Sequence, residues 1–206
     1  MITMVGVGRQ VWLSVVSVGI FTLHTALSVN GDYPPGFKRA ILTLPLNHPD
    51  LLWPVNTRNS TNATFPLHYS YNAESYRPGG TIVFVPGDQL LLGKESLRRV
   101  GFLADVAPHL HAAVVVAEQR FFGRSQSLTG SKMLTWDDLS YLTTEQILLD
   151  YIRLLGDFQN RTLGAENKAG LVVFSEDGYT GVFAHWLAYY CKQYFAANNR
   201  TGWNIA

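Results

Sequence analysis

Ala169-Gly170-Leu171-Val172-Val173-Phe174, then Ser175-Glu176-Asp177-Gly178-Tyr179-Thr180, then Gly181-Val182-Phe183-Ala184-His185-Trp186-Leu187-Ala188-Tyr189-Tyr190, is the stretch that decides the fold. A short continuous apolar run suits a strand covered on both faces. The apolar and aromatic residues from Gly181 suit a helix, and the small and polar residues between them make a sharp turn. A buried strand that turns directly into a helix is one half of a parallel β-α unit.

Upstream, the same unit recurs. Thr81-Ile82-Val83-Phe84-Val85 is another fully apolar strand, entered through the Arg77-Pro78-Gly79-Gly80 turn and ended by Pro86-Gly87-Asp88. Residues 96–109 carry Leu97, Val100, Leu103 and Val106 at helical spacing, and Ala112–Ala117 is a third apolar strand, which completes a β-α-β crossover. A loop over residues 118–142 leads to a helix opened by Thr143, expected to cap it with Gln146 reaching back; Ile147, Leu148, Tyr151, Leu154 and Leu155 form its apolar stripe. Phe65–Tyr71 alternates apolar and polar residues as a half-covered strand does, and Asp32–Gly36 reads as an extended leader fixed by Pro34 and Pro35. Strands alternating with helices predict an α/β class fold, a doubly wound and mostly parallel sheet whose ligand sites lie at the carboxyl ends of its strands.

The chain has 206 residues, 47% apolar and 15% charged, enough for one sizeable core, and its formal charge of +1 gives no electrostatic reason to expect nucleic acid as a partner. Arg9 precedes an apolar run from Val11 to Leu23, and Ala26-Leu27-Ser28 places small residues before Val29. This reads as a signal peptide over residues 1–28, with residues 29–206 as the mature domain, and implies the secretory pathway with an extracellular or lysosomal destination. A membrane anchor is the alternative, but the run falls short of the roughly 20 residues that span a bilayer. Sequons begin at Asn59, Asn62, Asn160 and Asn199. The single cysteine, Cys191, cannot form an internal disulfide and reads as a buried thiol.

Two motifs follow the strands. In Glu118-Gln119-Arg120-Phe121-Phe122-Gly123-Arg124-Ser125 two charges stand directly at a strand's carboxyl end, where they need partners if buried. Glu118 and Arg120 either shape a polar rim or form a structural ion pair with Phe121 and Phe122 as packing. The second motif is Tyr141-Leu142-Thr143-Thr144-Glu145-Gln146 with Leu149-Asp150. Together they are similar to the E-H-R-Y-Y-G-x-S and L-T-x-x-Q-A-L-x-D segments of the prolyl carboxypeptidase and lysosomal dipeptidyl peptidase family of serine exopeptidases, which includes the thymus-specific serine protease. The resemblance extends from Leu44 to Phe195. It implies an α/β-hydrolase-like sheet, a peptide substrate cut next to proline, and no cofactor. Glu118, Arg120, Gly123, Tyr179 and Gly181 are its family-motif positions here.

Such enzymes place a serine on a G-x-S-x-G turn between strand and helix, with small neighbours that let the chain lift the hydroxyl. The family pattern is G-G-S-Y-G-G. Counted back from the helix, Tyr179, Gly181 and Trp186 match, and the serine position falls on Gly178, which has no nucleophile. Counted forward from Phe174, Asp177 takes that place with one residue inserted. Ser175 is a further candidate, set between Phe174 and Glu176 rather than between small residues. Where the family reads T-G-N-E-G after an earlier strand, this chain reads Val85-Pro86-Gly87-Asp88-Gln89, and Pro86 has no N–H to donate to an oxyanion.

The family's orienting aspartate and base histidine lie downstream of this helix, so the sheet is expected to be incomplete at the C-terminus and no Ser-Asp-His order can be completed within the 206 residues. His24, His48, His68, His109, His111 and His185 show no metal-ligand spacing, and no phosphate loop or dinucleotide fingerprint is present. The expectation is a serine exopeptidase relative without an intact catalytic set, so that peptide is its substrate or ligand if it has one. The alternatives are a secreted non-catalytic pseudopeptidase or binding protein, or a truncated gene product. The sequence leaves the oligomeric state open.

Overall fold

The computed structural model describes residues 2–4, 34–48, 62–87, 92–126, 136–167, 169–175 and 178–197. The apolar run at 11–23, the cleavage site at Val29, the sequons at Asn59 and Asn199, and Asp177 lie outside them.

In chain order the elements are β1 (Ile2–Met4), β2 (Lys38–Pro45), β3 (Thr64–Asn72), β4 (Thr81–Val85), α1 (Lys94–Arg99), α2 (Phe102–Val106), β5 (Ala113–Ala117), α3 (Trp136–Leu139), α4 (Thr144–Phe158), β6 (Gly170–Phe174) and α5 (Gly178–Ala197). The six strands form one sheet in the order β1-β6-β4-β5-β3-β2. The three fully apolar runs sit at its centre and are parallel: β4 pairs with β5, Ile82 opposite Ala113, and with β6, Ile82 opposite Leu171. Antiparallel strands flank them, β3 on β5, β2 on β3, and β1 on β6.

The sheet is wound on both faces, as β-α-β crossovers require. Ile82, Phe84, Val115, Leu171 and Val173 point to the side of α4 and α5, where they pack with Leu148, Tyr151, Phe158, Phe183 and Leu187. Val83, Val85, Val114, Val116, Val172 and Phe174 point to the other side and pack with Leu97, Val100 and Leu103. Each large apolar side chain taken wholly out of water in these layers contributes about 1.5–3 kcal/mol.

Local details depart from the sequence reading for identifiable reasons. The helix expected over residues 96–109 is α1, α2 and a 3₁₀ turn over Ala107–Leu110, broken at Gly101, where Leu103 N–H bonds Val100 O at 2.9 Å and Ala104 N–H bonds Gly101 O at 2.9 Å. Glycine there adds backbone freedom that loosens the helix, and the kink turns Val106 out to solvent. β2 was not foreseen, because most of its side chains are exposed or half-buried and no apolar run marks it. Thr143 does cap α4, its Oγ1 accepting from Gln146 N–H at 3.3 Å, but the Gln146 side chain does not reach back. It turns instead to the segment after β2. α5 begins at Gly178, three residues before the expected Gly181, so the turn after β6 is shorter than the sequence suggested.

Candidate active-site region

The carboxyl ends of β4, β5 and β6 converge, and each leads into one part of the region of interest. After β4, Pro86 is buried and Gly87 passes so close to β5 that a Cβ on it would run into Ala117 O, Gln119 N and Glu118 C. Only glycine fits that approach. Asp88 and Gln89 lie outside the described residues.

After β5 comes the Glu118–Ser125 turn. The Glu118 carboxylate is buried and accepts four hydrogen bonds, from Leu92 N–H (2.9 Å) on one oxygen and from Arg124 N–H (2.8 Å), Ser125 N–H (2.9 Å) and Ser125 Oγ–H (2.8 Å) on the other. Such charge-assisted bonds are about twice as strong as neutral ones. Gly123, at φ +58°, lies against that carboxylate, where a Cβ would collide, and Phe121 itself is left-handed at φ +68°. Ser125 Oγ also accepts His68 N–H at 2.8 Å, which fastens the turn to β3.

Arg120 is wholly buried and does not pair with Glu118. Its Nε and Nη2 fork onto Asp150 of α4 at 2.6 and 2.7 Å, its Nη1 donates to Leu46 O and Tyr141 O at 2.9 Å each, and its guanidinium lies 5.0 Å from the Phe65 ring centroid. Neither charge forms a solvent-facing rim: each holds the fold at a separate place.

Asp150 also binds His48 Nε2 at 2.6 Å, a partner that sequence reasoning missed. The available signal was a carboxylate set on the apolar stripe of α4, four residues after the equally buried Gln146.

After β6, the three nucleophile candidates separate. Ser175 is buried, with its Oγ 2.9 Å from Thr180 Oγ1, and a Cβ on Gly181 would stand 3.3 Å from that Oγ. It is packed beneath the first turn of α5 rather than lifted above the sheet. Asp177 lies outside the described residues. Gly178 is exposed at the head of α5, and a Cβ built on it meets nothing within 4 Å among the described residues. Tyr179 donates its hydroxyl to Oε1 of the buried Gln119 at 2.9 Å, linking the head of α5 to the turn after β5.

Other reactive side chains stand apart. His185 is exposed on α5, and His109 and His111 are exposed beyond α2. His68 is half-buried on β3, and burial lowers its pKa from 6.5. Cys191, on the packed side of α5, is buried and its thiol is pushed up to about 12, so it is neither thiolate nor accessible. Among the described residues no cluster of three His, Cys, Asp or Glu could hold a metal ion, and no helix is long and apolar enough to cross a membrane. The sequons at Asn62 and Asn160 are exposed.

Residues 56–195 match the family of serine carboxypeptidase S28. A prolyl carboxy peptidase-like protein 5 of Caenorhabditis elegans is 33% identical over 122 residues, 59% of this chain and 24% of that protein. The lysosomal Pro-X carboxypeptidase of Homo sapiens is 32% identical over 129 residues, 62% of this chain and 25% of its own length. This chain thus spans about a quarter of the curated relatives it matches. A solved structure of a probable hydrolytic enzyme from Pseudomonas aeruginosa aligns with 81% of this chain and 39% of its own at 16% identity and a TM-score of 0.45. The chain belongs to the serine carboxypeptidase S28 family.

Proposed function

We propose, from membership in the serine carboxypeptidase S28 family, that this polypeptide retains the peptidase scaffold around the nucleophile position without a nucleophile on it. The family's activity is hydrolysis by an activated serine, with exopeptidase action at proline-containing peptides as the substrate class. In this chain the observation that carries the reading is Gly178: it heads α5, faces solvent and has nothing among the described residues within 4 Å of where a side chain would start. Covalent catalysis needs an oxygen or sulfur there, beside a base. Of the other candidates, Ser175 is buried against Thr180, and Pro86 removes one possible oxyanion donor.

The polypeptide accordingly acts as a pseudopeptidase, a secreted or lysosomal protein that engages peptide, if anything, without cutting it. The secretory assignment is supported by the apolar run at 11–23 and by the sequons, of which Asn62 and Asn160 are exposed for glycans; cleavage before Val29 would remove β1, the edge strand on β6, and leave the other five strands paired. The test is release of a fluorophore from Xaa-Pro and Pro-Xaa reporters at acidic and neutral pH by the purified 206-residue chain. Turnover at background is expected. Hydrolysis well above it, abolished by Ser175→Ala or by Asp177→Asn, would overturn the reading and name the nucleophile.

A further inference from the structure

We propose that His48 is an acid-sensitive latch that fastens the segment after β2 to α4. His48 ends a short run, Leu46-Asn47-His48, that leaves β2 and is held by side chains from elsewhere. Arg120 Nη1 donates to Leu46 O at 2.9 Å, Gln146 Nε2 donates to Asn47 Oδ1 at 2.7 Å, and His48 N–H donates to Gln146 Oε1 at 2.9 Å. The His48 ring closes the set, with Nε2 2.6 Å from Asp150 Oδ1. The residue is wholly buried.

The proton inventory of this cluster makes it responsive to acid. Asp150 already receives two donors from Arg120, so its carboxylate is ionised and acts as acceptor. A neutral His48 must then carry its proton on Nε2, which leaves Nδ1 as the bare nitrogen, and Nδ1 has no hydrogen-bond partner among the described residues. Among the described residues the charged groups facing the ring are Asp150 and Arg153 from α4 and Arg120 from the turn after β5. Protonating Nδ1 would add a buried cation, with an unsatisfied donor, to a pair that is already neutralised and has a second arginine nearby. Burial lowers the His48 pKa below 6.5, Arg120 and Arg153 act in the same direction, and Asp150 opposes them.

The sign follows from linkage. The unfolded or locally opened chain has an ordinary imidazole, so between 6.5 and the lowered value it binds more protons than the closed form. Closure is fully stable above 6.5 and weakens as pH falls through that window. The loss concentrates on residues 46–48, because β2 keeps its full antiparallel pairing with β3, from Lys38 opposite Tyr71 to Pro45 opposite Thr64. His68 also titrates low, but it lies on β3 with Glu118 and Arg124 as its charged neighbours, so a variant separates the two effects.

The experiment is amide hydrogen exchange of the full chain at pH 7.5 and 5.0, corrected for the intrinsic rate, with a peptide covering residues 44–48 compared with one covering β5. Protection of the 44–48 peptide is expected to fall by up to about tenfold per pH unit below 6.5, while β5 stays protected. His48→Gln, which keeps an amide donor near Asp150 but cannot titrate, should flatten that dependence, and His68→Gln should leave it intact. Unchanged protection between the two pH values, or a dependence that persists in His48→Gln, would overturn the proposal. Should that variant fail to fold, NMR titration of the unaltered chain decides: the latch requires a His48 ring still neutral and protonated on Nε2 at pH 6.5, and a midpoint at or above 6.5 contradicts it.

Discussion

The turn after β5 and the turn after β6 lie at the same end of the sheet, with β4 between their strands and Tyr179 reaching across to Gln119, and have opposite characters. After β5 two charges are buried and saturated: Glu118 accepts four hydrogen bonds and Arg120 donates four. After β6 stands Gly178, the residue proposed to hold the nucleophile position; it is exposed, and a Cβ built on it meets nothing within 4 Å among the described residues. The difference separates scaffold from chemistry. Removing either buried charge leaves its partners unpaired inside the protein, whereas the Gly178 position can lose its side chain at no cost to packing.

Substitutions can break or sharpen this contrast. Arg120→Ala strands Asp150 and should cost about 3–5 kcal/mol in urea unfolding; a loss under about 1 kcal/mol would show that the buried pair is not what holds the corner. The next effect concerns α5 itself. With its thiol at about 12 against an ordinary 9.0, Cys191 should react with thiol reagents near neutral pH roughly a thousandfold more slowly than a free cysteine, as followed by absorbance, and rapid labelling of the native chain would reveal a usable nucleophile on that helix. Glu118→Gln replaces a carboxylate by an amide that cannot accept on both ends, and a loss of about 1.5–3 kcal/mol is expected. Smallest is Gly178→Ser, whose added Cβ meets nothing within 4 Å among the described residues and which should shift stability by no more than about 0.5 kcal/mol; no turnover is expected, because a serine hydroxyl needs a base beside it and none is placed there among the described residues.

The sequence made the centre of the sheet legible and its margins less so. β4, β5 and β6 are covered on both faces, so they read as unbroken apolar runs, whereas β2 is open on one side and left no such mark. Gly101 split a helix whose apolar spacing looked continuous, since spacing records which face is buried but not whether the backbone stays straight. At the site, counting back from α5 put the proposed nucleophile position on Gly178, and the structure places that residue at the head of the helix. The roles of Glu118 and Arg120 could not be read in this way. Glu118 is bonded mainly to backbone amides, which carry no residue identity, and Arg120 meets Asp150 across 30 residues while Asp150 meets His48 across 102.

The most direct test of the central claim is to treat the purified chain with a fluorophosphonate and weigh it intact, with the Gly178→Ser variant in parallel. A scaffold without an activated nucleophile predicts no adduct on either protein under conditions that label a working serine peptidase to completion. One adduct per unaltered chain, mapped to Ser175, would contradict the account.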